Sequence, residues 1–215
     1  RAYVYRQQFA DMIRDWRRLF GDDDLPFLYV QLANFMAAPT DANEASTWPV
    51  LRESQALART LDQTAMAVAI DVGEADNIHP GDKQSVGDRL ARAALAMVYD
   101  KAVAYRGPTL KSMQAAGNAV TLSFDHVGDG LKVRGEALKG FVIAGEDRTF
   151  HFADARVTGK DTIVLRSDAV DQPVAVRYGW ANNPPVNLYN SEGLPAEPFR
   201  TDDWPVPTQS VPTQP

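Results

Sequence analysis

The sequence predicts an α/β fold class: a partial doubly wound parallel sheet followed by an all-β, sandwich-like module. Three observations carry this expectation. From Tyr5 to Tyr99, segments of helical period alternate with two short, nearly continuous apolar runs, the rhythm of strands buried between helices. Beyond about Lys101 the period shortens to two and turn residues punctuate short runs, as in half-buried antiparallel strands. At 215 residues, 45% hydrophobic and 23% charged, the chain is long enough for one large domain or two small ones. The boundaries that follow are 1–101 for the α/β part, 102–205 for the β module and 206–215 for a disordered tail.

The first helix is set by Tyr5, Phe9, Met12, Ile13, Trp16, Leu19 and Phe20, which recur at the helical period. Gly21 ends it, because glycine tolerates the left-handed conformation of a helix C-terminus. "LPFLYVQLA", Leu25 to Ala33, predicts a strand buried on both faces. Asn34 to Trp48 reads as a long irregular loop. Pro49 to Leu61 predicts a second helix with Leu51, Leu57 and Leu61 inward. "AMAVAIDV", Ala65 to Val72, is a second buried strand. Gly81 and Asp82 open a third helix running to about Tyr99, with Val86, Leu90, Ala93, Ala94, Met97 and Val98 as its apolar stripe. In such sheets ligands bind beyond the carboxyl ends of the strands. The loops Asn34–Trp48 and Gly73–Pro80 leave those ends and are expected on one edge. In the β module, Val120, Leu122 and Phe124 alternate with Thr121, Ser123 and Asp125, and further short runs follow to Tyr178.

Bulk properties exclude several classes. The net charge of −6 is well mixed, against the basic face a nucleic-acid partner needs. With no cysteine there is no disulfide framework and no thiolate metal site. No run approaches the roughly 18 apolar residues of a membrane span, and no signal peptide is visible. The chain opens on Arg1 inside a helical pattern with no capping residue. A mature-chain boundary would account for this; the sharper expectation is the later part of a longer polypeptide.

His79 is the candidate catalytic base. It lies in "DNIHP", past the carboxyl end of the second buried run, where α/β folds place catalytic groups. Asp76 stands three residues before it. A carboxylate can accept the imidazole Nδ1–H and fix the tautomer, leaving Nε2 to take a proton from a nucleophile. Pro80 restricts the His79 backbone to extended values. Asp71 and Glu74 are alternative orienting acids, and Asp71 or Asp76 can equally serve the local backbone. His126 and His151 fall in the β module and lack metal-site spacing. No metal or other cofactor is expected. No Gly-x-Ser-x-Gly elbow is present. Ser46, Ser54 and Ser85 sit on no tight strand-to-helix turn, and Ser85 reads as local capping. The nucleophile is therefore expected outside this chain.

"DNIH" resembles the Asp-x-x-His element of the SGNH hydrolases, esterases on a flavodoxin-like sheet. A wider set of segments, "LPFLYVQLANF", "WPVLRESQ", "AIDVGEADNIHPGDKQSVGDRLA", "YRGPTL", "VRYGWANNP" and "NLYNSEGLPAEPFRTDDWP", is similar to sialate O-acetylesterase and its bacterial carbohydrate-acetylesterase relatives. The resemblance runs from about Tyr5 to Pro205. It implies removal of acetyl esters from sugars by a serine nucleophile with a histidine base, and a secreted or periplasmic setting. In those relatives the serine lies in a Gly-Gln-Ser-Asn-type segment and the oxyanion asparagine in a Gly-Glu-Ser-Asn-type segment. Neither is present here. The chain thus resembles the C-terminal part, whose partner is an N-terminal fragment of the same precursor carrying the serine, and whose substrate is an acetylated carbohydrate. By resemblance His79 carries over, and Asp76 with it, although the spacing between acid and histidine varies among relatives.

Gln31, Asn34, Trp48 and Arg52 also match family positions beside the site. Gln31 and Arg52 are substrate-binding candidates, with the alternative that they bridge strand and helix. Trp48 is a sugar-stacking candidate, with packing as the alternative. Two other functions compete: a non-catalytic carbohydrate-binding module using Tyr178 and Trp180 as an aromatic platform, and an inactive structural remnant of the hydrolase fold.

Overall fold

A computed structural model describes residues 1–209. Three helices and a two-stranded parallel sheet come first, followed by antiparallel sheets.

Helix α1 spans Tyr5–Phe20 and closes at Gly21, whose φ of 65° lets its N–H reach back to the carbonyls of Arg17 and Arg18. Phe9 and Ile13 pack against Ala58, flanked by Tyr5, Phe27, Tyr29 and Leu61. Arg17 is buried beside them and donates to the carbonyls of Leu25 (3.1 Å) and Asp62 (2.6 Å), tying the helix to the ends of both parallel strands. The rest of the apolar stripe is uncovered: Trp16 is 50% exposed, Leu19 81% and Phe20 62%.

Strands β1 (Phe27–Val30) and β2 (Thr64–Ala67) pair in parallel, with Phe27 opposite Thr64 and Val30 opposite Ala67. β2 is buried throughout, and burial continues through Val68, Ala69 and Ile70. β1 departs from the expectation of burial on both faces. It is four residues long, partly exposed along its length, and exposed at Val30.

Helix α2 covers Trp48–Leu57, with Pro49 in its first turn, and a 3₁₀ turn, Ala58–Thr60, follows. Its buried face is Pro49, Val50, Arg52 and Ser54. The expected inward leucines do not form that face: Leu57 is 41% exposed, and Leu51 and Leu61 are only partly covered. A charged side chain takes the interior because it satisfies backbone carbonyls there. Helix α3 runs Lys83–Met97 behind an Asp82 cap. It buries Arg89 and Ala93, while Leu95, Val98 and Tyr99 remain exposed.

The antiparallel part comprises β3 (Thr109–Ala116), β4 (Ala119–Asp125), β5 (Lys132–Val133), β6 (Phe141–Ala144), β7 (Phe150–Phe152), β8 (Asp154–Val157), β9 (Thr162–Arg166), β10 (Ala175–Tyr178), β11 (Leu188–Tyr189) and β12 (Phe199–Arg200). One four-stranded sheet has the order β3-β4-β9-β8 and another β12-β10-β6-β7; β5 and β11 form a third pair. Alternation decides the core. Val120, Leu122 and Phe124 of β4 and Ile163 and Leu165 of β9 meet Phe141 and Ile143 of β6 and Val176 and Tyr178 of β10 in one buried cluster. Two sheets sharing an inner face in this way form a sandwich.

The parallel and antiparallel parts are joined by polar contacts. Arg59 pairs with Glu197 at 2.6 Å and Arg200 with Glu53 at 2.7 Å. Burial pushes the Glu197 carboxyl up, against the pull of Arg59 and Arg106. Of the segment expected as a disordered tail, 206–209 form a turn in which Val206 is buried and Thr208 Oγ1 accepts the Tyr3 N–H; residues 210–215 lie outside the described residues. Among the described residues no helix is long and apolar enough to cross a membrane.

Candidate active-site edge

Parallel pairing of β1 and β2 sends the following loops out at one edge, as the sequence predicts. The loops are bonded to each other. Asn34 Oδ1 accepts the Gly73 N–H at 2.6 Å, and the Met36 N–H donates to the Ala75 carbonyl at 2.9 Å. A third segment joins them from the antiparallel part: Asn34 Nδ2 donates to Asn183 Oδ1 at 2.6 Å.

His79 projects from this edge and is exposed. Its backbone N–H donates to Asn77 Oδ1 at 2.9 Å, an Asx-type turn that fixes the backbone. Among the described residues its ring has no hydrogen-bond or ion-pair partner. Asp76 is likewise exposed, and no hydrogen bond joins its carboxylate to the His79 ring. The other two acids are engaged. Asp71 receives both arms of the Arg89 guanidinium at 2.7 and 2.8 Å and the Tyr189 hydroxyl at 3.0 Å. Glu74 accepts the Gly81 N–H at 2.6 Å and the Asn77 Nδ2–H at 3.3 Å, closing the loop on itself. Asp76 is thus the carboxylate of this loop left without a structural task.

No serine hydrogen-bonds the His79 ring among the described residues. Ser46 Oγ donates to Asn182 Oδ1, and Ser54 Oγ to the Ala2 carbonyl at 2.8 Å. Ser85 sits in the α3 cap: its N–H and Oγ donate to the Asp82 carboxylate at 2.9 and 2.7 Å. The Ser85 N–H, and after it the hydroxyl, hold that carboxyl below its usual range. No cluster of potential metal ligands occurs among the described residues. His126 is exposed just after β4, and His151 is partly covered in β7.

The substrate-binding candidates fare differently. Arg52 is fully buried. Nε donates to the Leu32 carbonyl, Nη1 to Ala181, and Nη2 to both Ala33 and Asn182, at 2.7–2.9 Å. Burial without a carboxylate partner pulls its pKa down to about 9, so it stays charged at neutral pH. Four of its five N–H donors are spent on backbone carbonyls, so Arg52 clamps these segments together. Gln31 is also buried; Nε2 donates to the Arg52 carbonyl at 3.1 Å, and Oε1 is unpartnered. For both, the bridging alternative describes the geometry. Trp48 is partly exposed, donates Nε1–H to the Ala33 carbonyl at 2.8 Å and lies against Phe35, with ring centroids 5.8 Å apart.

Tyr178 is wholly buried and belongs to the sandwich core, which removes it from any surface platform. Trp180 lines a narrow slot of about 40 Å³ with Phe152, Pro184 and Pro185. An open groove of about 730 Å³ runs beside the loop, with Gly73, Glu74, Asp82 and Arg89 on one side and Arg134 and Glu192 on the other. The sequence reading missed the roles of Gly73 and Asn183. A Cβ at Gly73 would collide with the Asn34 carbonyl oxygen; the glycine in "DVGEAD" was the available signal. Nothing local marks Asn183 as the partner of Asn34.

No family model matches the chain. Sialate O-acetylesterase of Mus musculus is 31% identical over 225 residues, covering 91% of this chain and 40% of the mouse protein. That of Pongo abelii is 29% identical, covering 91% of this chain and 42% of its own length. The crystal structure of a carbohydrate acetylesterase from Xanthomonas citri superposes with a TM-score of 0.88 at 48% identity, over 94% of this chain and 47% of that one. The chain therefore spans less than half the length of each of these relatives. Matched over nearly its whole length in both sequence and structure, the chain belongs to the family of sialate O-acetylesterase and the bacterial carbohydrate acetylesterases.

Proposed function

We propose that this chain is the C-terminal part of a serine carbohydrate O-acetylesterase and supplies its catalytic base, His79, oriented by Asp76. The observation that supports this most is the division of labour in the 71–79 loop. Asp71 and Glu74 are consumed by structure, while His79 and Asp76 stand exposed and unbonded at the edge where both post-strand loops meet.

The nucleophilic serine and the oxyanion asparagine come, in this reading, from an N-terminal fragment of the same precursor, which also completes the doubly wound SGNH sheet and closes on 1–101. Two features support such a partner: a parallel sheet of only two strands among the described residues, and the uncovered apolar side chains Trp16, Leu19 and Phe20 of α1 and Val98 and Tyr99 just past the end of α3. The β sandwich, 102–205, is then the second module. The substrate is an acetyl ester of a sugar, and the setting is secreted or periplasmic.

His79 Nε2 takes the serine hydroxyl proton as the oxygen attacks the acetyl carbonyl. The tetrahedral oxyanion is held by backbone N–H and asparagine donors. His79 then returns the proton to the departing sugar oxygen, leaving an acetyl-serine. Water, deprotonated by the same imidazole, releases acetate and restores the serine. Asp76 would accept the Nδ1–H and stabilise the imidazolium. The test is hydrolysis of an aryl acetate and an acetylated sugar by residues 1–215 alone and joined to the preceding segment. Activity only in the joined form is expected. Full turnover by 1–215 alone would overturn the external nucleophile.

A further inference from the structure

We infer that Asn34 and Asn183 form a latch that positions the His79 loop, so that the antiparallel part takes a share in setting the catalytic edge. The inference rests on the reading of His79 as the base, and goes beyond it by naming what holds that base in place.

The latch is a closed circuit of hydrogen bonds. Asn34 Oδ1 accepts the Gly73 N–H (2.6 Å), and its Nδ2 donates to Asn183 Oδ1 (2.6 Å). Asn183 Nδ2 donates to the Met36 carbonyl (2.7 Å), and the Met36 N–H donates to the Ala75 carbonyl (2.9 Å). Three segments far apart in sequence, 34–36, 73–75 and 183, are thereby fixed to one another. Each asparagine uses donor and acceptor together, which neither aspartate nor alanine can do.

Both ends of the circuit are anchored. Arg52 grips the carbonyls of Ala33 and of Ala181 and Asn182, the residues just before each asparagine. Met36 takes a φ of 75° to turn its N–H to Ala75, a strained conformation for a residue other than glycine that persists only where surrounding bonds over-determine it. From Gly73 the fixation passes to His79 in two steps. Glu74 bonds the Gly81 N–H and Asn77 Nδ2, and Asn77 Oδ1 bonds the His79 N–H. Glu74 follows Gly73 directly, so loosening Gly73 loosens the carboxylate that closes the loop. Asn34 and Asn183 reach neither a reacting atom nor the His79 ring. They are positioning residues, and their loss should lower kcat with little change in KM, since a displacement of about 1 Å at the reacting centre can cost on the order of 10²-fold.

The test uses the joined enzyme with N34A, N34D, N183A and H79A, read by kcat and KM on an aryl acetate and by amide hydrogen exchange. N34A should lower kcat by about 10²-fold, leave KM nearly unchanged and speed exchange of the Gly73 amide. N34D keeps the acceptor for Gly73 and should restore Gly73 protection while recovering part of kcat. N183A should speed exchange at Met36 while sparing Gly73, and it stands in should N34A not fold. Wild-type Gly73 exchange in N34A, or unchanged kcat in both N34A and N183A while H79A is inactive, overturns the latch. Near-wild-type turnover in H79A instead removes the His79 reading, and the exchange data then judge the latch alone.

Discussion

The Arg89 guanidinium holds the Asp71 carboxylate through two bonds, 2.7 and 2.8 Å long, with both side chains almost inaccessible. This pair joins α3 to the end of the buried β2 run, and the Tyr189 hydroxyl docks on the same carboxylate. Burial, and after it the Asp71 charge, push the Tyr189 phenol up to about 12. Asp71 is thereby withdrawn from the candidates for orienting His79. Asp71→Ala should destabilise the chain by about 3–5 kcal/mol, because it strands a buried guanidinium. Denaturant unfolding measures this; a loss under about 1 kcal/mol would show that the pair behaves like a surface contact.

Asp76→Asn should do the reverse. Its carboxylate is exposed and unbonded, so stability should hold while kcat falls by roughly 10³–10⁴-fold, as for an orienting acid whose loss leaves the base in the wrong tautomer. Glu74→Gln should cost less kcat. If Glu74→Gln, still folded, proves the more damaging, the orienting carboxylate is Glu74.

Arg52→Met should be among the most disruptive single changes. It leaves the carbonyls of Leu32 and Ala181 without a donor, each costing about 1–3 kcal/mol when buried and unsatisfied, and takes one donor from those of Ala33 and Asn182, which keep the Trp48 Nε1–H and the Phe35 N–H. Arg52→Lys should rescue little, since an ammonium cannot span four acceptors with the geometry of a planar fork. Thermal unfolding checks both; a lysine variant as stable as the parent would refute the clamp.

Asp202 should give the fold an acid-sensitive step. Burial opposes its charge, yet Arg177 (2.7 and 2.8 Å) and Arg200 (3.3 Å) hold its carboxyl below the usual range. The unfolded chain then binds this proton more readily than the folded one. The stabilisation is present above the unfolded pKa of about 3.9 and is lost as pH falls through the lower folded value. Asp202→Asn should flatten that part of the stability–pH curve. An acid limb as steep as the parent's would assign the effect to other carboxylates.

Much of this was legible in the sequence, for local reasons. Gly21 marked the end of α1, period-two alternation marked β4, and parallel buried runs put two loops on one edge. What failed depended on distant partners. Leu57 was expected inside, and Arg52 was left open between a ligand and a bridge from strand to helix; the burial of Arg52 and the exposure of Leu57 follow from carbonyls at 32–33 and 181–182, which helical periodicity cannot register. "FLYVQLA" read as an interior strand, yet β1 is half-covered because apolar character records what a strand needs and does not supply the neighbour. His79 and Asp76 could be singled out as candidates from a short element, whereas the Asn34–Asn183 bond spans 149 residues and left no local trace.

In the proposed function His79 is the general base for a serine carried outside this chain. The most direct measurement is kcat on an aryl acetate for the joined enzyme and its His79→Ala variant, each shown to be folded. A fall of about 10⁴–10⁶-fold with unfolding stability unchanged is expected, since His79 is exposed and its ring is unbonded. Turnover within a few-fold of the parent would contradict it.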